Sequence, residues 1–233
     1  NLQNNVFTSG GKWSVITNYN QHSGGRIWVI WDPIYFELNN IKTYAQCIHM
    51  KVYDRIRQQS FWLTMVYGMN KSTEREAHWH QIRQISQSVD GVWCLMGDFN
   101  AISSPNDRLG GCSFTNADTM PMRSAIDDCE LEDLKAKGAF YTWNNKQDAV
   151  HKIYSRIERV FINEEWITQY PWSYAHFLPE GLYDHCPCII RFEEVTIWRI
   201  RAFKYFNMWK LDVKFDSVIE EVWNQEIIGN KMY

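Results

Sequence analysis

No apolar run in this sequence exceeds five or six positions, Ile27 to Trp31 being typical, against the ~20 that a membrane-crossing helix needs. A helical membrane span is therefore not expected. No basic-then-apolar leader opens the chain, and residue 1 is Asn rather than Met, so the sequence reads as a fragment without a signal peptide. Cysteine is scarce and scattered: Cys47, Cys94, Cys112 and Cys129 stand alone, and Cys186 and Cys188 are separated by one residue. None has the C-x-x-C spacing of a zinc site, so zinc is not expected. Cys47 and Cys94 lie in strand-like apolar runs and read as buried small hydrophobes of a reducing compartment. Charge of one sign is also missing, with 24 basic against 27 acidic residues and a net of −3. That balance argues against a protein that coats polyanions wholesale but leaves room for a local basic groove.

What is present is an ordinary globular mixture, 45% apolar and 22% charged, with 12 each of Trp, Tyr and Phe in 233 residues. A chain of this size hides roughly 70–75% of its unfolded surface, and its length suggests about one and a half domains. Segments 13–17, 26–31, 43–52 and 60–67 are aromatic and β-branched and are bounded by turn residues. Four strands in a row imply antiparallel pairing. A helix follows: Thr73 and Glu76 read as a capping box, and Trp79, Ile82, Ile85 and Val89 recur at helical spacing. His78 and His80 point about 200° apart on it, which excludes joint metal ligation; both read as surface residues. An apolar strand at 92–96 runs into Gly97-Asp98-Phe99-Asn100. Further on, the pattern gives a helix at 119–129, a strand pair at 140–143 and 153–161, a short helix at 164–169 and a final buried strand at 186–192. Two packed sheets with helices outside are expected. Beyond about residue 193 the composition shifts to Phe203, Tyr205, Phe206, Met208 and Trp209, then to an apolar helix stripe from Phe215 to Ile227 that lacks a partner in the sequence.

Charge is segregated along the chain. Asp127, Asp128, Glu130, Glu132 and Asp133 form an acidic cluster, followed from Lys135 to Arg159 by six bases, Arg156 among them, and His151. The chemistry-bearing groups are Asp98 and Asn100 after one strand and Asp184-His185 before another. Each motif alone is an ordinary turn. Together they place a carboxylate, a carboxamide and an imidazole at strand ends, where catalytic groups tend to sit. Such a set suits attack of water on a phosphodiester. Asp98 would accept a proton from the water or orient it, Asn100 would donate to a non-bridging oxygen, and His185, held by a carboxylate, would act as base or brace the transition state. A hard divalent ion on oxygen ligands, expected to be Mg²⁺, would neutralise the phosphate.

The ordered series V-Y-G-x-N at 66–70, G-D-F-N at 97–100, R-x-G-G at 108–111, Y-T-W-N-N at 141–145, S-R-I-E-R-V at 155–160 and D-H-C-P at 184–187 resembles the endonuclease/exonuclease/phosphatase superfamily. More narrowly it looks like the apurinic-like endonuclease of plant LINE-type non-LTR retrotransposon polyproteins. G-G-R-I-W-V-I-W at 24–31 and F-K-Y-F-N-M-W at 203–209 share that pattern. The resemblance implies a DNase I-like α/β fold, a two-layer β-sandwich flanked by helices. It implies Mg²⁺ (or Mn²⁺) as cofactor and DNA as partner. It further implies no membrane, action in the nucleus or cytoplasm, and a reverse transcriptase following in the parent polyprotein. By it, Asp98 and Asn100 position the nucleophile and stabilise the phosphorane, while His185 is the catalytic imidazole and Asp184 the metal-side carboxylate. Tyr67 and Asn70 approach the scissile phosphate. Glu158 pairs with His185 where the family most often has Asp, and Tyr183 replaces the small serine before Asp-His.

Trp143, Asn145 and Arg156 are the remaining expected DNA contacts, on or beside a hairpin with Asn144, Lys146, His151 and Lys152. Trp143 as a core residue over a solvated loop is the alternative reading. The family's opening strands, the second ending in the glutamate that is the main metal ligand, have no counterpart, since no acidic residue precedes Asp32. The expected organisation is an endonuclease domain over 1–192 lacking its first strands and a linker over 193–233. The expected activity is impaired, and a catalytically silent remnant with weak nucleic-acid binding is the alternative.

Overall fold

The computed structural model describes residues 13–112, 114–193 and 214–223, and the chain divides into two compact units, Asn1–Glu194 and Val195–Tyr233. The first unit is built on a six-stranded sheet in the order β3-β4-β5-β6-β12-β8. Its strands are β3 (Phe36–Thr43), β4 (Cys47–Asp54), β5 (Gln59–Tyr67), β6 (Trp93–Asp98), β8 (Glu132–Asp133) and β12 (Glu158–Ile162). β3, β4 and β5 form the expected antiparallel meander. β5 and β6 then run parallel, a pairing that requires a crossover, and helix α1 (Ser72–Ser86) supplies it.

Alternation along the central strands sends side chains to two cores. Cys47, Trp62, Val66, Trp93 and Leu95 face Trp79, Ile82 and Ile85 of α1 and Met122, Ala125 and Ile126 of helix α2 (Asn116–Asp128). Cys94, Val160 and Ile162 face the other way. There they meet Trp166 of helix α3 (Glu164–Gln169), Ala175 and Phe177 of β13 (Ser173–Phe177), and Ile190 and Phe192 of β14 (Cys188–Phe192). β13 pairs antiparallel with β14 and parallel with β9 (Ala136–Gly138), giving a second, three-stranded sheet. On the same face, Ile48, Met50 and Val52 pack against Ile27 and Val29, at the antiparallel pair β1 (Ser14–Thr17) and β2 (Trp28–Trp31). Phe61 and Leu63 touch both of these outer clusters. A small sheet of β7 (Arg108–Leu109), β10 (Trp143–Asn144) and β11 (Tyr154–Ser155) completes the unit. The architecture is the expected α/β sandwich flanked by helices. In the second unit, α4 spans Phe215–Trp223; Phe203 to Trp209 and Ile227 lie outside the described residues.

Several local expectations are corrected. The expected strand at 43–52 breaks after Thr43, where the Tyr44 N–H bonds the Cys47 carbonyl, and the polar stretch before it is itself strand β3. The stretch expected as one strand at 153–161 is two, split at Arg156–Ile157, with β11 and β12 in different sheets. α1 has Lys71 at its N-cap without a side-chain cap, so the Thr73/Glu76 capping box does not form; α2 has one, between Thr115 and Asp118. The final strand alternates between half-buried and exposed positions instead of being fully buried. His80 is exposed as expected, but His78 is buried at 1% exposure. It sits four and seven residues before Ile82 and Ile85 and so shares their inward face. Cys47 and Cys94 are buried free thiols as expected.

Candidate active site

Strand register puts the site in a row. Tyr67 of β5 is opposite Asp98 of β6, and Asp98 is opposite Glu158 of β12. Two backbone features terminate β6 there. Gly97 has φ +141, and a Cβ on it would collide with the Val66 carbonyl. Asn100 adopts the left-handed region at φ 46, which Asn tolerates better than most residues. The Gly68 N–H bonds the Asp98 carbonyl at 2.7 Å, closing the end of β5 onto that of β6.

Asn100 is occupied with Asp98. Its N–H donates to Asp98 Oδ1 at 2.8 Å, and its Nδ2 donates to Asp98 Oδ2 at 3.1 Å and to the Gly68 carbonyl at 2.8 Å. In this arrangement Asn100 orients the carboxylate and has no side-chain hydrogen left for a phosphate. Burial and the neighbouring Glu158 charge push the Asp98 carboxyl up to about 6, opposed by the Asn100 N–H, His185 and Arg75. It therefore changes protonation close to neutrality, as a proton acceptor in a buried site must.

His185 is bound through Nδ1 to Glu158 Oε1. That hydrogen bond, aided by the Glu158, Asp98 and Asp184 charges, holds the imidazole above its usual value despite partial burial. The Glu158 side chain, longer than the aspartate of the family pattern, does reach the ring. Its second oxygen, Oε2, is buried without a partner. Asp184 is exposed; its Oδ2 lies 3.9 Å from His185 Nε2 and accepts from the Trp143 indole at 3.2 Å. Trp143 also forms an antiparallel bridge with His185, so this ring is tied to the site's own carboxylate rather than to the main core.

The other expected site residues divide. Asn70 is exposed and lines a cleft of about 600 Å³ together with Arg75, Asn100, Arg108, Phe114 and Trp143. The Tyr67 hydroxyl accepts from Arg26 at 2.9 Å. Asn145 spends its amide within the hairpin, accepting from the Ile153 N–H and donating to the His151 carbonyl. Arg156 packs over Phe140 and reaches Asp133 at 3.7 Å, away from the cleft. Sequence reasoning missed Arg75, which donates to the carbonyls of Met69 and Asn70 at 2.7 and 2.8 Å and whose charge acts on Asp98. Its only signal was a lone base in the first turn of the helix after Y-G-x-N.

Among the described residues, Asp98, Glu158 and His185 offer three ligand atoms within 4.8 Å of one another. Two carboxylates and an imidazole, one carboxylate oxygen unpartnered, are a donor set that divalent cations accept.

No model of a known family and no curated protein matches this chain. Solved structures do. The endonuclease domain of TRAS1, a telomere-specific non-LTR retrotransposon, superposes with a TM-score of 0.61 at 16% identity, over 78% of this chain and 81% of that one. An endonuclease/exonuclease/phosphatase from Bacteroides vulgatus gives 0.53 at 12%, over 78% and 77%. A mannosyl-6-phosphatase from Bacteroides thetaiotaomicron gives 0.50 at 11%, over 78% and 77%. The chain has the DNase I-like fold of these proteins.

Proposed function

We propose that this chain is a phosphodiesterase of the non-LTR retrotransposon endonuclease type, which nicks DNA and leaves a 3′ end for priming. The observation that carries the reading is the row of Asp98 and Glu158 at adjacent strand ends, with His185 bound to Glu158. The TRAS1 superposition supports DNA over a small phosphoester.

The division of labour follows from charge. Asp98, ionised above about pH 6, takes the proton of the attacking water while Asn100 holds the carboxylate in place. Glu158 favours the charged form of His185. Its Nε2 donates to a non-bridging oxygen as negative charge builds there; the water oxygen bonds to phosphorus, the bond to the 3′ oxygen breaks, and that oxygen takes a proton from solvent. Asn70 and Arg75 face the cleft through which the strand would run. Asp184 would be the metal-side carboxylate for Mg²⁺ or Mn²⁺; it lies beside His185 Nε2, at the edge of the Asp98, Glu158 and His185 cluster. When bound, the ion supplies neutralisation of the phosphate and of the leaving oxygen. Among the described residues only Asp98, Glu158 and His185 gather as ligands, so the expected rate is low.

The test is nicking of supercoiled plasmid with Mg²⁺ or Mn²⁺, with and without chelator, beside mannose 6-phosphate as a monoester control. Slow nicking abolished by His185→Ala is expected. Salt-sensitive DNA retention without any nicking would favour the silent remnant, and turnover of the monoester alone would overturn the DNA reading.

A further inference from the structure

The Y-T-W-N-N segment contributes Trp143 and Asn144 to the site's edge, but its most buried member is Thr142, at 0% exposure. Thr142 lies between the two chain segments that carry the histidine and its carboxylate. Its hydroxyl oxygen accepts from the N–H of Ile157 at 3.0 Å and from that of Glu158 at 3.1 Å. Its own N–H donates to the Ser155 carbonyl at 2.9 Å. On the opposite side, its carbonyl accepts from the N–H of Cys186 at 2.7 Å. One residue thus binds the main chain of Glu158 directly and that of His185 through the next residue.

The Ile157 and Glu158 amides need this oxygen for a structural reason. β11 ends at Ser155 and β12 begins at Glu158, in different sheets, so the chain changes partners at 156–157. A buried N–H left unpaired at that step forfeits its hydration with nothing in return. A threonine hydroxyl has two acceptor lone pairs and serves both amides.

We propose that Thr142 is a positioning residue, which sets the separation of the Glu158 carboxylate and the His185 imidazole by clamping both main chains. The inference rests on the reading of Glu158 and His185 as the working pair. It does not require that the chain cleave DNA. The clamp acts on the start of β12 and on the segment before β14, so loosening it lets the two drift by fractions of an ångström. A charge-assisted hydrogen bond responds steeply to such drift. Val preserves the shape of Thr but removes the acceptor, and Ser preserves the acceptor.

The readout is the low-field proton NMR signal of His185 Nδ1–H bound to Glu158, identified by its loss in His185→Asn. In Thr142→Val this signal is expected to move upfield or vanish through exchange, while Thr142→Ser keeps it. Thermal melts establish folding of each variant, and Thr142→Ala replaces Val if Val does not fold. A folded Val or Ala variant with an unmoved signal would overturn the proposal, as would a Ser variant that loses it as fully as Val. Absence of the signal from the unsubstituted chain, or failure of both Val and Ala to fold, would equally sink it. Plasmid nicking is measured separately, so a silent enzyme with the expected signal pattern would count against the proposed function and not against the clamp.

Discussion

A single hydrogen bond between Glu158 and His185 decides what the imidazole can do. The carboxylate is the largest cause of the raised histidine, and its own second oxygen has no partner. Replacing Glu158 by Gln removes the charge and leaves the shape. His185 is then expected to titrate lower, toward the usual 6.5, in a histidine NMR titration. Nicking at pH 7 is expected to fall by about 10²-fold or more, the lower end of what an acid–base group contributes. An unmoved His185 would show that Asp98 and Asp184 suffice to hold its charge. The sequence marked Asp98, Asn100, Glu158 and His185 as candidates because each sits in a short motif at a strand end. It could not show that Asn100 is saturated by Asp98 and Gly68, or that Arg75 stands close enough to bias Asp98. Those facts depend on where β5 and α1 bring chain far apart in sequence.

Among the elements, the link between β12 and the loop before β7 was hidden by composition. Asp133 and Arg159 read as members of two segregated runs of opposite sign. In the fold, Arg159 is 2% exposed and bonds Asp133 through Nη1 at 2.8 and 3.0 Å and Asp107 through Nη2. Asp107, itself 3% exposed, also accepts from Ser103 and Ser104. Arg159→Met keeps much of the volume but strips the buried Asp107 of its ion-pair partner, so a loss of about 3–5 kcal/mol is expected in denaturant unfolding. A double variant with Asp107→Asn should recover part of it, and failure to recover any would argue that packing, not charge, is lost. Aromatic and β-branched runs bounded by turn residues made β4 and β5 legible, and an unbroken apolar run made β6 so. β3 escaped because its stretch of Glu, Asn and Lys has the composition of a loop and is strand only through pairing with β4. β13 was missed because Ser173–Phe177 mixes Ser, Tyr and His with its apolar members.

For the whole molecule, buried titratable groups set the acid response. Burial lowers both His49 and His78 to about 4, so the unfolded chain binds more protons than the fold between about pH 6.5 and 4. Stability therefore falls as pH falls through that window, by at most about 3 kcal/mol for each ring. Asp98, raised to about 6, acts in the opposite sense, because its neutral form is favoured in the fold. The net expectation is progressive loss of stability below pH 6.5. His78 has both ring nitrogens buried and unpartnered, so His78→Leu should raise Tm at neutral pH by a few degrees and flatten the acid side of the profile. A Tm profile that keeps its full acid slope in this variant would assign the response to other groups.

The row from Tyr67 through Asp98 to Glu158 also makes the site a check on assembly. Strand partners alternate faces with a period of two, so a one-residue slip of β12 against β6 would set Gly97 opposite Glu158 and turn the carboxylate to the other core. A chain that folded in the wrong register would then be compact yet lack the Asp98–Glu158–His185 cluster altogether, so a near-miss of this sheet would not keep part of the site.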